Sequence, residues 1–346
     1  MMNKIILLGG VLLFFVPAKY LEARQVINIV GSSTVYPFAK VVTKKFAENT
    51  GLALPKLKST GSGGGFKLFC AGAKHKSPDI SNASRSINRA EYNQCVQNGV
   101  KKIVEVKIGY DGIVIANSSK APRFRLTIRD IFLALARDVP DGDKKKLIPN
   151  PYVFWNEVDP ALPPLRIKVY GPPPTSGTRD AFEKLAMEKG CGKFTWIKNL
   201  KKRHKEKFLN ICRSIRQDGA YINSGENDNL IVDKLEANQN AFGIFGYSYL
   251  EQNQHDIQGA YINSSLPDFQ TISSASYPLS RPLYFYVNKD RAESIPGLKR
   301  YLIEFTKDSA WGLKGYLVTR GLIPMSNKER VKYRAIARKL IIIKRW

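Results

Sequence analysis

The chain has 346 residues, of which 43% are hydrophobic and 24% are charged, a composition typical of a globular protein large enough to form two domains. Its 55 Lys and Arg residues outnumber 29 Asp and Glu residues, and the formal net charge of +26 attracts anionic partners without selecting among small anions, nucleic acid and membrane surfaces. The densest basic runs, residues 198–207 and 328–345, are typical of solvated helical faces or a tail. Neither run has zinc-finger spacing or lies in a predicted recognition helix, so we expect no nucleic-acid partner.

The N-terminus has the pattern of a secretory signal peptide. Lys4 precedes an apolar run, residues 5–16, that is too short to span a bilayer comfortably, and Ala18 and Ala23 offer small-residue cleavage sites. The alternative is an uncleaved N-terminal anchor. We expect residues 1–23 to be a signal peptide and the mature protein to be periplasmic.

The first third of the chain alternates predicted strands and helices. Apolar residues at helical spacing predict one helix that follows residue 34 and ends near Gly51, and another that follows residue 65. Segments rich in Val and Ile or bounded by polar turns predict strands at residues 25–31, 54–58, 79–85, 103–107 and 112–116. This rhythm is that of an open α/β sheet, which binds ligands beyond the carboxyl ends of its strands.

The rest of the chain continues with a less regular pattern. Residues 138–164 are rich in Pro, Gly and charge, which is typical of surface connections. Helical segments are predicted after residue 180 and at residues 124–136, 294–307 and 308–320, and strands at residues 165–170, 240–249 and 277–287. If the chain crosses between two domains near residues 109–116 and returns near residues 277–287, the two crossing strands form a hinge.

Four cysteines occur in a chain that we expect to be exported, which favours disulfides. Of the three pairings, we favour Cys70–Cys95 with Cys191–Cys212, because each loop then stays inside one predicted domain. Zinc is the alternative, but no Cys-x-x-Cys occurs and the three histidines are scattered. We therefore expect no metal site.

Three Gly/Ser/Thr-rich turns, residues 31–37, 59–65 and 175–180, each lead directly into a predicted helix. A helix N-terminus presents free N–H groups and the positive end of its dipole, so each turn can hold an anion. A single such serine is more often a simple N-cap, but three turns indicate one tetrahedral oxyanion held from several sides. The candidate donors are the hydroxyls of Ser33, Thr34, Ser62, Ser84, Ser176 and Thr178 and the guanidinium groups of Arg85 and Arg179.

A buried carboxylate would select phosphate over sulfate. Phosphate keeps a proton at neutral pH and can donate it to a carboxylate, whereas sulfate has none and is repelled. The candidates are Asp79, Asp111 and Asp180, with Asp180 able instead to orient Arg179. The sequence does not choose among them.

No motif indicates an enzyme or a cofactor. The chain has no Gly-x-Ser-x-Gly elbow, no His-Glu-x-x-His and no Walker motif, and no histidine lies near a Ser-rich turn in sequence. We expect a binding protein without catalytic residues or cofactor. A phosphatase-like hydrolase and a basic polyanion-binding protein are the alternatives from other classes.

Six segments together resemble the periplasmic phosphate-binding proteins, the substrate-binding subunits of bacterial high-affinity (Pst-type) phosphate ABC transporters. They span residues 26–322 in the order of that family and are residues 31–37, 61–66, 79–85, 109–114, 175–180 and 245–248. The resemblance implies a type II periplasmic binding protein: two α/β domains joined by two crossing hinge strands, with the ligand cleft between them. It implies that a monomer captures inorganic phosphate and delivers it to a membrane permease, with sulfate or molybdate as the alternative ligands.

The resemblance also assigns domains and contacts. Residues 24–112 and 278–325 would form domain I, residues 113–277 domain II, and residues 326–346 a basic C-terminal helix or tail. The residues implied to contact phosphate from the three turns are Ser33, Thr34, Val35 through its backbone, Ser62, Gly63, Ser176, Gly177 and Thr178.

Two positions depart from the family pattern. Family members with the best-known site have, in place of Arg85, an aspartate that accepts the phosphate proton, and they carry an arginine before the Ser-Gly-Thr triplet, whereas Arg179 follows it here. We expect phosphate as the ligand still, with Arg179 making the main charge contact.

Overall fold

The computed structural model describes residues 26–72, 77–142 and 144–344. The predicted signal peptide, residues 1–23, lies outside the described residues. No helix within the described ranges has both the length and the apolar character to cross a bilayer.

The strands are short except where the chain passes from one half of the molecule to the other. In chain order they are β1 (Asn28–Gly31), β2 (Lys56–Ser59), β3 (Ile80–Ala83), β4 (Ile103–Ser118), β5 (Arg125–Leu126), β6 (Asp138–Pro140), β7 (Leu147–Pro149), β8 (Val169–Gly171), β9 (Tyr221–Asn223), β10 (Phe242–Gly246), β11 (Ile257–Gly259), β12 (Tyr261–Ile262) and β13 (Ser280–Asn288).

Helices connect these strands. They are α1 (Tyr36–Thr50), α2 (Gly61–Phe69), α3 (Arg89–Gln97), α4 (Ile128–Leu135), α5 (Trp155–Val158), α6 (Gly177–Phe182), α7 (Glu188–Cys191), α8 (Thr195–Arg203), α9 (Lys205–Arg213), α10 (Asn229–Ala237), α11 (Tyr247–Gln252), α12 (Phe269–Ser273), α13 (Lys289–Ser294), α14 (Leu298–Phe305), α15 (Asp308–Trp311) and α16 (Asn327–Lys339). A π-helical segment, Glu183–Met187, joins α6 to α7, and a 3₁₀ turn covers Val318–Arg320.

The main sheet has two halves that share the long strand β4. The order β2-β1-β3-β13-β4 forms one half and β4-β10-β8-β9 the other, with β11 also paired to β4. β1 is parallel to β2 and β3, and β8 is parallel to β9 and β10. Strand β13 pairs with β4 from Asn288↔Ile103 to Ser280↔Gly112, and β10 pairs with β4 from residue 113 onward. The crossing strands that we predicted are therefore β4 and β13.

Each half of the sheet has a hydrophobic core of its own. Val35, Phe46, Phe285 and Trp311 belong to the core around β1, β13 and α14, and Phe132, Trp155, Phe182 and Phe242 belong to the core around β4, α4 and β10. We call these halves domain I and domain II. The α/β fold class is confirmed, and the separate cores support the domain boundaries, which stay a prediction.

The structure changes several of the predicted elements, and the helix predicted at residues 308–320 is only α15 (Asp308–Trp311) and the 3₁₀ turn Val318–Arg320. Residues 103–107 and 112–116 form one continuous strand, because the residues between them pair with β13 across the hinge. Residues 240–249 form a strand only to Gly246, where the N–H of Tyr247 donates to Asp111 Oδ1 at 2.9 Å and α11 begins.

The basic C-terminal segment packs on domain I as helix α16. Met325, Ala337 and Leu340 are buried in the domain I core, and Lys107 pairs with Glu329 at 2.8 Å. The N–H of Ile343 donates to the carbonyl of Ile103 at 2.8 Å. The segment is thus part of the folded domain, and its lysines and arginines cover one face of it.

Both disulfides have the pairing that we favoured. Cys70 is bonded to Cys95 in domain I, and Cys191 is bonded to Cys212 in domain II.

Candidate functional site

The three Gly/Ser/Thr-rich turns meet at the boundary between the domains. Parallel strands β1 and β2 end at the same edge of the sheet, so the turns before α1 and α2 lie side by side, and the start of α6 faces them from domain II. Thr34 Oγ1 lies 3.0 Å from Thr178 Oγ1. Gly177 lies so close to α2 that an added Cβ would collide with Ser62 Oγ and approach Ser84 Oγ to 2.6 Å.

The candidate hydroxyls are buried and partly bonded to one another. Ser62 Oγ lies 3.2 Å from Ser84 Oγ and accepts the backbone N–H of Ser84 at 3.0 Å. Ser176 Oγ caps α6 by accepting the N–H of Thr178 at 3.1 Å. Helices α1 and α2 have no side-chain cap, so the N–H groups of their first turns can face an anion where they do not already donate to a carbonyl, as those of Tyr36 and Gly63 do.

Hydrogen bonds to backbone carbonyl groups hold the two domains together around this cleft. The N–H of Gly63 donates to the carbonyl of Thr175 at 3.1 Å, and Ser59 Oγ donates to the carbonyl of Glu226 at 3.2 Å. The contact of Gly63 with the anion stays a prediction, and in this structure its N–H donates across the domain boundary. Val35 has its side chain in the domain I core, which leaves only its backbone to the cleft.

Arg281 is an arginine that the structure brings to the first and third of these turns. Its Nη2 donates to Thr34 Oγ1 and Thr178 Oγ1, at 3.0 Å each, and its Nη1 donates to the carbonyl of Gly177 at 3.2 Å. Asp111, its cross-strand neighbour, accepts from Nε at 3.0 Å and from Nη2 at 2.8 Å. Both side chains are almost fully buried. Burial raises the pKa of Asp111, and the guanidinium opposes this by favouring the carboxylate.

Asp228 and Glu226 are two acidic residues beside the turns that each have a buried oxygen without a hydrogen-bond partner in the described part of the chain; Glu226 lies against Gly61 and Thr175, and Asp228 against Ser33. Asp228 is fully buried at the start of α10, where its Oδ1 accepts from Ser33 Oγ at 3.3 Å. Its Oδ2 has no hydrogen-bond partner within the described part of the chain. Burial raises the pKa of Asp228 to about 7, with Asp111 adding to the rise and Arg281 opposing it.

The three carboxylates named from the sequence have other partners. Asp79 accepts the N–H of Asn28 at 2.8 Å at the amino ends of β1 and β3, which is the edge of the sheet opposite the cleft. Asp111 holds Arg281, and Asp180 holds Arg85. Asp79 therefore lies too far from the cleft to select the anion. Asp111 and Asp180 are both paired with guanidinium groups.

Arg85 and Arg179 also differ from the expectation that they contact the anion. Arg85 Nε donates to Asp180 Oδ2 at 2.6 Å, and its Nη atoms donate to Glu91 at 2.8 and 2.9 Å. These carboxylates hold Arg85 as a bridge between the domains.

Arg179 lies within domain II. Its Nε donates to Glu183 Oε1 at 2.6 Å, one helical turn further on, and its guanidinium lies 4.7 Å from the centre of the Tyr221 ring. The main charge contact of Arg179 with the anion stays a prediction that its pairing with Glu183 does not support, whereas the three groups that Arg281 reaches are all parts of the turns.

The sequence contained signals for the two residues that were missed. Arg281 is a charged residue in an otherwise apolar strand segment at the predicted hinge. Asp228 ends a polar, Gly-containing loop between β9 and α10, which repeats the strand–turn–helix pattern of the other three turns. An aspartate at such a position more often caps its helix, but Asp228 makes no cap hydrogen bond.

The arrangement is suited to an oxyanion and not to a cation. Helix N-termini, hydroxyl groups and one guanidinium surround the cleft, all of which can donate hydrogen bonds. Within the described ranges, no group of His, Cys, Asp and Glu could hold a metal ion.

Comparisons with known proteins agree with this geometry. Residues 18–309 match the PBP superfamily domain. The chain is 30% identical over 288 residues to the protein SphX of Synechocystis sp., covering 81% of this chain and 74% of that protein. It is 28% identical over 277 residues to the phosphate-binding protein PstS of Staphylococcus saprophyticus, covering 79% of this chain and 73% of PstS.

A solved structure shows the same fold. The ABC-type phosphate transport receptor from Vibrio cholerae superposes with a TM-score of 0.56 at 20% sequence identity, covering 86% of this chain and all of that one (100%). Because the PBP superfamily domain matches residues 18–309, which are most of the chain, this protein is a member of the PBP superfamily.

Proposed function

We propose that this protein captures inorganic phosphate in the cleft between its domains and delivers it to the membrane permease of an ABC transporter. The observation that carries the proposal is the convergence of Thr34, Ser62, Thr178 and Arg281 with the open carboxylate oxygen of Asp228. The relatives named PstS are phosphate-binding proteins, which supports the same ligand.

The proposed site binds its ligand with dipoles and one buried cation. The first turns of α1, α2 and α6 supply N–H groups, the serines and threonines supply hydroxyls, and Arg281 supplies the guanidinium. Nothing in this set acts as a nucleophile with a paired base, so we propose a binding protein without catalysis, working outside the cytoplasm as a monomer. Contacts on both domains mean that the bound anion stabilises closure.

Asp228 is proposed to select phosphate. With a pKa of about 7, its carboxylate is partly ionised at neutral pH and accepts the proton of phosphate. Sulfate offers no proton, so its oxygens would face the carboxylate with like charge. The residues previously considered for this role, Asp79, Asp111 and Asp180, have other partners.

Calorimetric titration of the purified protein with phosphate and with sulfate, alone and in competition, tests the proposal. We expect tight, saturable, one-to-one binding of phosphate that a large excess of sulfate does not displace. Absence of saturable phosphate binding would overturn the proposed function. Equal affinity for the two anions would leave oxyanion binding in place but remove the role proposed for Asp228.

A further inference from the structure

A second basic concavity lies on domain II, outside the phosphate cleft. It is a groove of about 610 Å³ bordered by α4, α7 and α8. Its rim carries five exposed lysines, which are Lys184, Lys189, Lys193, Lys198 and Lys201.

The positive charge of this groove is not balanced locally. Glu188 is the carboxylate that lines it, and Arg213 already binds it, with Nε donating at 2.7 Å and Nη2 making a second bond; Lys201 Nζ lies 3.8 Å away. Among the described residues, no carboxylate forms an ion pair with the other four lysines. Like charges held in one groove repel each other, and an anionic ligand relieves that repulsion.

A rigid frame carries these lysines. The Cys191–Cys212 disulfide ties α7 to α9, and Lys189 and Lys193 lie two residues on either side of Cys191. Gly190 lies so close to α4 that an added Cβ would collide with the carbonyl of Ile128. The backbone positions of Lys189 and Lys193 are therefore set before any ligand arrives, which lowers the entropic cost of binding.

The groove adjoins a second cavity, of about 450 Å³, at the mouth of the phosphate cleft. The two cavities share Lys184 and Leu185, and the second is lined by Arg85, Arg213 and Arg281. Asp180 also lines the second cavity, and each of its arginines is held by a carboxylate: Arg85 by Asp180, Arg213 by Glu188 and Arg281 by Asp111. The positive charge without a carboxylate partner therefore lies in the lysine groove. A ligand that matches this groove is long and carries many negative charges.

We propose that this lysine groove binds linear inorganic polyphosphate, a flexible chain with a negative charge on every phosphate. Ammonium groups act as point charges without a fixed hydrogen-bond geometry, which suits a chain without a fixed conformation. A single-stranded nucleic acid would also need aromatic faces for base stacking, but Phe208, the aromatic residue in the lining, is only 1% exposed. A flat membrane surface contacts only the ends of the rim lysines, whereas a flexible chain can lie along the groove between them. The proposal is independent of phosphate binding in the cleft.

A four-site variant with a matched control tests the proposal on the full protein. The groove variant is Lys184→Gln, Lys189→Gln, Lys193→Gln and Lys198→Gln. The control variant changes four exposed domain I lysines by the same net charge: Lys40→Gln, Lys56→Gln, Lys67→Gln and Lys101→Gln. Binding of fluorescently labelled polyphosphate is measured by anisotropy at several salt concentrations, in the presence of saturating inorganic phosphate. Circular dichroism melting checks that both variants are folded.

We expect the groove variant to bind polyphosphate at least about tenfold more weakly and the control variant to lose no more than about threefold. The plot of log K against log salt concentration should be less steep for the groove variant, by about 1 in slope for each replaced lysine that contacts the polyphosphate chain. Saturating phosphate should not compete, since it occupies the cleft.

Three results would each overturn the proposal. Equal losses in both variants would mean that the overall charge, and not the groove, attracts the polymer. Competition by inorganic phosphate would mean that the polymer enters the cleft. Binding of single-stranded DNA of the same charge, or of anionic phosphatidylglycerol vesicles, as tightly as polyphosphate and with the same loss in the groove variant would assign the groove to another partner.

Discussion

Arg281 and Asp111 face each other across the two hinge strands, and their ion pair sits where the domains meet. They are direct partners in the register of β13 and β4, with Nη2 and Oδ2 2.8 Å apart. Asp111 fixes the guanidinium so that its remaining N–H groups reach Thr34 in domain I and Thr178 and Gly177 in domain II. One buried charge therefore contacts both walls of the cleft from its floor.

Replacing Arg281 by lysine should weaken phosphate binding strongly while keeping the charge that Asp111 needs. An ammonium has three N–H donors, so with one bonded to Asp111 it cannot reach Thr34, Thr178 and the Gly177 carbonyl together. Loss of one or more charge-assisted hydrogen bonds, at about 1.5–3 kcal/mol each, predicts at least about a tenfold weaker Kd by calorimetry.

The matching double variant separates binding from folding. Arg281→Met alone leaves Asp111 buried and unpaired and should destabilise the protein by about 3–5 kcal/mol. Arg281→Met with Asp111→Leu should recover much of that stability in thermal melts and still fail to bind phosphate. Phosphate binding by the double variant at the wild-type Kd would contradict the role of Arg281.

Asp228→Asn should reverse part of the anion selectivity. The side-chain amide can donate a hydrogen bond to sulfate and no longer repels it, while phosphate loses the acceptor of its proton. We expect phosphate affinity to fall and sulfate affinity to rise, each by about tenfold or more, in paired calorimetric titrations. Wild-type protein should show the same trend as pH falls below about 7, because Asp228 then becomes protonated. Unchanged selectivity in the variant would point to another selector.

The same substitution should change how stability depends on pH. The folded-state pKa of Asp228, about 7, lies above its ordinary value of 3.8, so the unfolded chain ionises first as pH rises. The cost of ionising the buried carboxylate therefore grows from about pH 4 to 7 and amounts to about 4 kcal/mol above pH 7.

Asp228→Asn removes this cost. In the absence of phosphate and sulfate, urea unfolding should show the variant to be more stable than wild type at pH 8, by up to about 4 kcal/mol, with little difference at pH 4. A constant difference between the two proteins across this range would mean that Asp228 does not titrate as described.

Gly177→Ala should block closure without disturbing either domain. An added Cβ collides with Ser62 Oγ across the cleft, and the conflict exists only when the domains meet. Overpacking of this kind costs about 1–3 kcal/mol, so phosphate binding should weaken by about 10- to 100-fold. Gly64→Ala is the control, because a Cβ on this α2 residue meets nothing nearer than 3.5 Å. Equal phosphate affinities of the Gly177→Ala and Gly64→Ala variants would show that the closed cleft leaves more room between Gly177 and Ser62 than the structure indicates.

Arg85 should control how long phosphate stays bound. Its bond to Asp180 joins the domains at the rim, and both side chains are partly exposed, so the pair contributes about 1 kcal/mol to closure. Arg85→Gln should raise the phosphate dissociation rate about fivefold in stopped-flow measurements. Arg179→Gln should leave that rate within about twofold of wild type, because the partners of Arg179 lie in domain II. A larger rise of the dissociation rate in Arg179→Gln than in Arg85→Gln would indicate that Arg179 makes the main charge contact.

The sequence by itself determined the fold class, the strands and helices around the cleft, and the three turns that build it. These features depend on local patterns: alternation of apolar residues, helical spacing, and Gly, Ser and Thr before helix starts. Ser33, Thr34, Ser62, Ser176 and Thr178 were proposed as anion contacts on this basis. All of them lie within a few residues of such a start.

Only the tertiary structure decided which charges enter the cleft. Arg281 and Asp111 are separated by 170 residues and meet through the antiparallel register of β13 with β4, and Ser33 and Asp228 are separated by 195. Arg85 and Arg179 stand beside the turns in sequence, yet carboxylates hold them away from the shared hydroxyls. The direction of a charged side chain depends on which opposite charge the fold places nearby, and that partner is set by long-range packing rather than by its neighbours along the chain.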